Sequence, residues 1–256
     1  MKLAFREIGE GPSLIILHGL FGQSDNWNTL AKQFSEKGFR VFSIDQRNHG
    51  LSPHSPDWNF KVMADDLYEF ILEHNLHNPI IMGHSMGGKT VMFFELAYPK
   101  LASKIIIVDI ADRFYKPSHQ QVIKGLNAID FEKIKNRKEA ELIMTEFIQD
   151  YGTKQFLLKN LYWIDSLNNK LAWRFNLKVI TQKYELIGAA VPYYISQTST
   201  LIIKGELSDY ISEYDSEQYF IRFPKHKFIT IKGSGHWVHS EKPKEFFDCV
   251  LDFITN

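Results

Sequence analysis

Short apolar runs alternate with amphipathic segments along the first 111 residues of the chain. The runs are rich in branched aliphatic residues and predict buried strands at Leu3–Ile8, Leu14–Leu17, Val41–Ile44, Ile80–Met82 and Ile105–Val108. The segments between them carry apolar residues at helical spacing and predict helices at Trp27–Glu36, Phe60–Asn75 and Lys89–Tyr98. Such alternation predicts an α/β fold with a mostly parallel central sheet flanked by helices on both faces.

The same pattern returns late in the chain, with predicted elements at Leu201–Lys204, Phe228–Ile231 and Lys242–Phe253. The first two are strands and the last is a closing amphipathic helix. Residues 112–198, in between, carry helical periodicity instead. We therefore predict an α/β core made of residues 1–111 and 199–256, with residues 112–198 inserted as a helical cap over the active face.

Composition narrows the class of protein. The 256 residues are 44% hydrophobic and 23% charged, and 30 basic residues balance 30 acidic ones, so no bulk charge points to nucleic acid or an anionic membrane. No run approaches the ~18 apolar residues of a membrane span, and charge interrupts the N-terminal apolar run too early for a signal peptide. Cys249 is the single cysteine, which excludes an internal disulfide and a cysteine-rich metal site. A cytoplasmic location is expected.

Residues 83–87 read Gly-His-Ser-Met-Gly and lie between a predicted strand and a predicted helix. Glycines on both sides remove the Cβ atoms that would collide where strand and helix approach, so a strained conformation at Ser85 is tolerated. The turn lifts the Ser85 hydroxyl clear of the sheet and leaves a helix N-terminus behind it, where partial positive charge favours a developing anion. Ser85 is therefore the predicted nucleophile.

A serine hydroxyl needs a base within hydrogen-bonding reach to act as a nucleophile at neutral pH. The candidate is His236, which follows the last predicted strand in the segment Gly-Ser-Gly-His-Trp at residues 233–237. The small residues before it allow the loop to bring the imidazole over the edge of the sheet. His239 is the local rival, whereas His84 is expected to pack inside the nucleophile turn.

The carboxylate that orients the base has two candidates on the residues alone. Asp109 ends the strand after the nucleophile strand, and Asp209 lies just beyond the following strand. Both satisfy the chain order Ser, Asp, His, so the order does not decide between them.

Acyl transfer also needs donors for the oxyanion of a tetrahedral intermediate, each contributing about 2.7–4 kcal/mol to transition-state stabilisation. The backbone amide of Met86, at the start of the helix, is the first predicted donor. The second is expected from the segment His-Gly-Leu-Phe-Gly at residues 18–22, with the amide of Leu20 as the best candidate.

Taken together, these segments resemble the α/β-hydrolase family and cover the whole chain outside the cap. The motifs that carry the resemblance are His18-Gly19-Leu20, Asp45 to Ser52, Gly83 to Gly88 and Gly235-His236. Finer details, including Phe21-Gly22, Arg47 to Ser52, Asp109-Ile110-Ala111 and Trp237-Val238-His239, are similar to the YbfF-like esterase branch. That branch implies hydrolysis of short acyl esters and acyl-CoA-type thioesters without a cofactor.

The resemblance also bears on the choice of carboxylate. In the YbfF-like branch it comes from the strand before the cap, which is the position of Asp109 here. In the general family pattern it lies three residues past a glycine on the later strand, and Ser208 occupies that slot, with Asp209 one residue late. The resemblance therefore favours Asp109. Arg47 and Asn48 are expected to fix loops through hydrogen bonds.

The leading interpretation is a serine carboxylesterase or thioesterase acting on a small-molecule acyl ester or thioester. Hydrolysis of a C–C bond or a lactone by the same fold is the first alternative, and a non-catalytic ligand-binding protein is the second. Phe21 and Trp237 are the expected substrate contacts. No metal is expected, because the sequence has no His-x-x-x-His or comparable ligand cluster. The sequence does not indicate the oligomeric state.

Overall fold

The computed structural model describes residues 1–165, 167 and 170–256, so Ser166, Asn168 and Asn169 of the predicted cap lie outside the described residues. The strands in the described part of the chain are β1 (Phe5–Ile8), β2 (Ser13–Leu17), β3 (Arg40–Ile44), β4 (Ile80–His84), β5 (Lys104–Val108), β6 (Leu161–Asp165), β7 (Lys170–Trp173), β8 (Ser199–Gly205) and β9 (His226–Ile231). The α-helices there are α1 (Asn28–Ser35), α2 (Phe60–Glu73), α3 (Met86–Ala97), α4 (Gln120–Asn127), α5 (Arg137–Thr145), α6 (Tyr151–Leu158), α7 (Leu177–Lys183), α8 (Glu213–Arg222), α9 (Val238–Glu241) and α10 (Pro243–Thr255).

A twisted central sheet organises the core. Within the described residues it has seven strands in the order β1-β3-β2-β4-β5-β8-β9, with β1 antiparallel to β3 and every other pair parallel. The expected α/β architecture with a mostly parallel sheet is thus confirmed. Because the carboxyl ends of parallel strands meet at one edge, the loops after β2, β4, β5, β8 and β9 converge there.

Two hydrophobic layers cover the faces of the sheet. Alternate residues of β2 point to opposite sides, so Ile15 and Leu17 join the layer formed with α2, α3 and α8, whereas Leu14 and Ile16 join the layer formed with α1 and α10. All four side chains are almost completely buried. Each such burial contributes about 1.5–3 kcal/mol relative to an exposed side chain, and the strand that leads into residues 18–22 is thereby fixed from both faces.

The segment between β5 and β8, which is called the cap below, has an apolar cluster of its own. Helices α4 to α7 contribute to that cluster, and Phe21, Trp58 and Met86 of the core insert into it. The cap also contains an antiparallel hairpin of β6 and β7, which the helical periodicity did not predict. The strand β6 does contain the apolar run Leu161–Ile164. Both hairpin strands are short, however, and most of their residues are half-buried or exposed, unlike those of the inner core strands.

Polar side chains hold the loops at the site edge. The buried Arg47 guanidinium forms a bidentate ion pair with Asp66, at 2.5 and 2.7 Å. The side-chain oxygen of Asn48 accepts hydrogen bonds from the Ser55 amide at 2.8 Å and from the Asn176 side chain at 3.1 Å. Asn176 belongs to the cap, so Asn48 links the cap to the core.

Gly83 and Gly87 allow β4 and α3 to pack in direct backbone contact. A Cβ atom on Gly83 would lie 2.2 Å from the Gly87 carbonyl oxygen, and one on Gly87 would lie 2.4 Å from the Leu17 carbonyl oxygen. Since backbone atoms cannot move aside cheaply, any side chain here would push the helix away from the sheet.

Gly83→Ala is therefore expected to lower the free energy of unfolding by about 1–3 kcal/mol through overpacking. Urea unfolding followed by circular dichroism measures the change. Gly152→Ala in α6 is the matched control, because its added Cβ would come no closer than 3.3 Å to any atom. A Gly83→Ala protein as stable as the control would contradict this account of the packing.

Candidate active site

Ser85 sits in a strained turn between β4 and α3. Its backbone has φ 52° and ψ −116°, a conformation that a non-glycine residue rarely adopts. The Ser85 amide is anchored to the Val108 carbonyl at 3.0 Å, and the side chain does not cap the helix that follows. The hydroxyl is consequently available for other partners.

His236 bridges this serine and a carboxylate. The Nε2 atom of His236 lies 2.9 Å from Ser85 Oγ, and Nδ1 lies 2.7 Å from Asp109 Oδ2. A carboxylate can only accept, so Nδ1 carries the proton and Nε2 of the neutral ring is left to accept the serine proton. His236 is delivered by the loop after β9, as its place in the sequence suggested.

Asp109 follows β5 and is completely buried. Its Oδ1 atom accepts a hydrogen bond from the Gly205 amide at 2.9 Å, and Oδ2 accepts one from the Ser208 hydroxyl as well as the one from His236. The structure therefore brings Asp109 to the imidazole, whereas Asp209 lies in the wall of a cavity beside Ser85.

Three further contacts hold the His236 loop and were not singled out from the sequence. The Tyr210 ring stacks on the imidazole with centroids 3.7 Å apart, and His84 Nε2–H donates to the His236 carbonyl at 2.8 Å. The Glu241 carboxylate accepts from the amides of Gly235 at 2.7 Å and Trp237 at 3.2 Å. No sequence motif predicts these contacts. His84 and Tyr210 are distant from His236 in the sequence, and the contacts of Glu241 form only because the loop folds back on itself.

His236, and not His239, is the ring hydrogen-bonded to Ser85 in the described part of the chain. The His239 ring stacks on Trp27 with centroids 4.2 Å apart, and burial lowers the pKa of His239 to about 3. Burial likewise holds the pKa of His84 well below its ordinary value, with nearby His236 as the next cause. Both rings therefore pack against the site as neutral groups, as expected for His84.

The segment after β2 supplies backbone amides next to Ser85. Within the described residues, neither the Leu20 nor the Met86 amide donates to another protein group. The loop is held by the buried His18 ring, whose Nδ1–H donates to the Gly19 carbonyl at 2.8 Å and whose Nε2 accepts from the Gln46 amide at 3.0 Å. Two unengaged amides beside the hydroxyl are what an oxyanion requires.

The cap helps to hold this loop. Phe21 has a positive φ of 60°, a strained value for a bulky residue. Its carbonyl accepts from the Asn160 side chain at 2.9 Å, and its ring packs against Phe175 with centroids 5.0 Å apart. Both partners belong to the cap, so the cap stabilises the loop conformation that exposes the Leu20 amide.

Two cavities open beside Ser85. The smaller has a volume of about 290 Å³ and includes Tyr184 and Tyr210 in its wall, and the larger, about 380 Å³, includes His236. Phe21 and Trp237, the expected substrate contacts, both lie in the wall of the larger cavity. Among the residues the structure describes, no cluster of three or more His, Cys, Asp or Glu could hold a metal ion, and no helix has the length and apolarity to cross a bilayer.

The fold and this arrangement of side chains at the carboxyl edge of a parallel sheet define an α/β-hydrolase. The family model described as alpha/beta hydrolase fold matches residues 12–243, and the chain belongs to that family.

Individual relatives carry the names of ester hydrolases. The chain is 40% identical to a putative esterase/lipase of Haemophilus influenzae, over 95% of this chain and 83% of the relative. It is 33% identical to esterase YbfF of Escherichia coli, over 95% and 93% of the two chains. A solved structure described as a marine microorganism esterase superposes with a TM-score of 0.93 at 40% identity, covering 98% of this chain and 99% of that one. The resemblance to the YbfF-like branch of the family is confirmed.

The buried histidines predict how stability depends on pH. Burial lowers the pKa of His18 to about 4, and its Nε2 must stay unprotonated to accept from the Gln46 amide. The folded protein thus binds fewer protons than the unfolded chain below pH 6.5, the ordinary histidine value. Stability is expected to be full above that pH and to be lost as the pH falls towards 4.

His18→Asn should reduce this loss. At pH 7.5 the variant is expected to be less stable than wild type by about 1–3 kcal/mol, because the Gln46 amide loses its acceptor. Between pH 7.5 and 5 its free energy of unfolding should fall less than that of wild type, as measured by urea unfolding. His77→Asn, at an exposed position, is the control and should follow wild type. If the free energy of unfolding fell equally with pH in His18→Asn and wild type, protonation of His18 would not cause the loss of stability.

Proposed function

We propose that this protein is a serine-dependent carboxylesterase or thioesterase that hydrolyses small acyl esters or acyl-CoA-type thioesters through an acyl-enzyme on Ser85. The observation that carries the proposal is the pair of hydrogen bonds of His236, to Ser85 Oγ at 2.9 Å and to Asp109 Oδ2 at 2.7 Å. No cofactor takes part, and no nucleic-acid partner is proposed. We place the enzyme in the cytoplasm.

In the first half of the reaction, His236 Nε2 takes the hydroxyl proton while Ser85 Oγ attacks the carbonyl carbon of the substrate. The carbonyl oxygen becomes an anion against the amides of Leu20 and Met86. Asp109 keeps the Nδ1 proton in place and stabilises the imidazolium that forms. His236 then gives its proton to the departing oxygen or sulfur, and the acyl group remains on Ser85.

In the second half, water enters on the side vacated by the leaving group. His236 removes a proton from the water, the resulting hydroxide attacks the acyl-enzyme, and the oxyanion again lies against the same amides. Collapse of this intermediate returns the proton to Ser85 Oγ and releases a carboxylic acid. Esters and thioesters share this acyl-enzyme, so the machinery serves both and the cavities select between them.

The curated relatives support the ester as the bond that is broken. Besides the two esterases, the mouse protein named sn-1-specific diacylglycerol lipase ABHD11 is 34% identical over 95% of this chain and 81% of its own. These names share ester hydrolysis, and only that of the mouse protein specifies a substrate, a diacylglycerol. The catalytic side chains do not set the size of the substrate, so the cap and loops such as the one with Phe21 must do so.

Ser85→Ala should abolish turnover and leave the fold intact. Initial rates on p-nitrophenyl esters from acetyl to palmitoyl and on the matching acyl-CoA thioesters measure the effect. Wild type is expected to peak at one chain length. Appreciable hydrolysis by a folded Ser85→Ala protein would remove Ser85 as the nucleophile, and a wild type inactive on every substrate would count against ester and thioester hydrolysis.

Asp109→Asn is expected to lower kcat by about 10³–10⁴-fold, because the amide no longer holds the imidazole in the required tautomer. Asp209→Asn is the matched control and should retain most of the activity, since the hydrogen bonds of the His236 ring in the described part of the chain go to Asp109 and Ser85 and not to Asp209. If Asp209→Asn lowered kcat more than Asp109→Asn, Asp209 would be the carboxylate that orients His236, as in the general family pattern.

A further inference from the structure

Two adjoining cavities, called here the smaller and the larger chamber, lie beside Ser85 and share very few lining residues. Among the described residues that line them, Leu20, Ser85 and His119 belong to both. Leu20 and Ser85 come from the core and surround the reacting atoms. His119 comes from the cap, directly before α4, and is therefore the cap side chain that stands where the chambers meet.

The chemistry assigns a part of the substrate to each chamber. His236 must protonate the leaving atom, and it lines the larger chamber and not the smaller one. The leaving group therefore belongs in the larger chamber, against Phe156 and Trp237. The acyl group then lies in the smaller chamber, whose wall includes Tyr115 and Tyr184.

His119 is locked in one orientation and one tautomer by Tyr184. The Tyr184 hydroxyl oxygen accepts hydrogen bonds from the backbone amides of His119 at 3.1 Å and Ser118 at 3.4 Å. Because the oxygen is already an acceptor, its own proton goes to His119 Nδ1, with which it is in close contact. The neutral ring then carries its proton on Nε2, the nitrogen left for a substrate.

The environment of His119 keeps the ring uncharged. Burial lowers the pKa of His119 to about 4, and nearby His236 adds to the effect. At neutral pH the ring is thus a polar donor without a charge. It can lie beside the imidazolium formed during the reaction without repelling it.

We propose that His119, held by Tyr184, is the specificity-determining divider of this active site. It separates the acyl chamber from the leaving-group chamber and presents Nε2–H to a polar atom of the ester at their junction. The acyl chain is thereby limited to the smaller chamber. This inference rests on the proposed serine hydrolase function and adds to it the residues that sort the two ends of the substrate.

Two substrate series test the divider. One varies the acyl chain, as p-nitrophenyl esters from acetyl to decanoyl, and the other varies the alcohol, as alkyl acetates from ethyl to octyl. In His119→Ala the chambers merge, so kcat/KM for decanoyl relative to acetyl should rise by about fivefold or more over wild type. The effect is expected mainly in KM for the long acyl chains. Tyr184→Phe should shift the ratio in the same direction, because the His119 ring is no longer held.

Matched variants separate this role from a structural one. His119→Gln keeps bulk and a side-chain N–H donor and should stay close to the wild-type profile. His77→Ala and Tyr193→Phe change exposed residues outside both chambers and should alter neither series. A merely structural role would lower the rates on all esters by the same factor.

The outcomes distinguish the divider from the proposed function. A wild type without Ser85-dependent turnover of any ester or thioester would overturn the proposed function, and the divider with it. Normal wild-type turnover together with unchanged chain-length profiles in both His119→Ala and Tyr184→Phe would overturn the divider alone. If His119→Ala fails to fold, the Tyr184→Phe and His119→Gln profiles decide.

Discussion

The architecture of the site depends on one buried carboxylate. Asp109 has no exposed surface, and a charge in such a place is tolerated only when hydrogen bonds satisfy it. Its donors come from the end of β8, the loop after β8 and the loop after β9, through Gly205, Ser208 and His236. Satisfying the carboxylate therefore fixes three separate parts of the chain relative to one another, and the imidazole is aimed at Ser85 as a result.

A second buried charge-bearing group links the cap to the helix that follows Ser85. Lys89 lies one turn after Ser85 on α3, is 1% exposed, and donates through Nζ to the carbonyls of Arg113 at 2.7 Å, Gly188 at 3.3 Å and Ala189. These carbonyls belong to the connections by which the chain enters and leaves the cap. Burial lowers the pKa of Lys89 to about 7. The helix that follows Ser85 thus holds both ends of the cap.

The sequence predicted those parts of the site that local rules determine. The strand, glycines and helix around Ser85 are contiguous, so their geometry follows from residues 83–87 and their neighbours. The choice between Asp109 and Asp209 could not follow from the residues alone, because it depends on which loop the packing of β5 and β8 brings to the imidazole. The β6–β7 hairpin was not predicted either, because it is short and lies in a segment with helical periodicity. The position of His119 was not predicted, since its partner Tyr184 lies 65 residues away in the chain.

The neutral histidines around His236 suit the chemistry that we propose. An imidazolium forms on His236 in each transition state, and a second positive ring beside it would raise the energy of that state. His84, His119 and His239 surround it, and burial keeps the pKa of each below its ordinary value. Their rings therefore supply shape and hydrogen bonds without charge, and the Asp109 carboxylate is left as the charge that acts on His236 directly. A site crowded with histidines can in this way work with a single proton carrier.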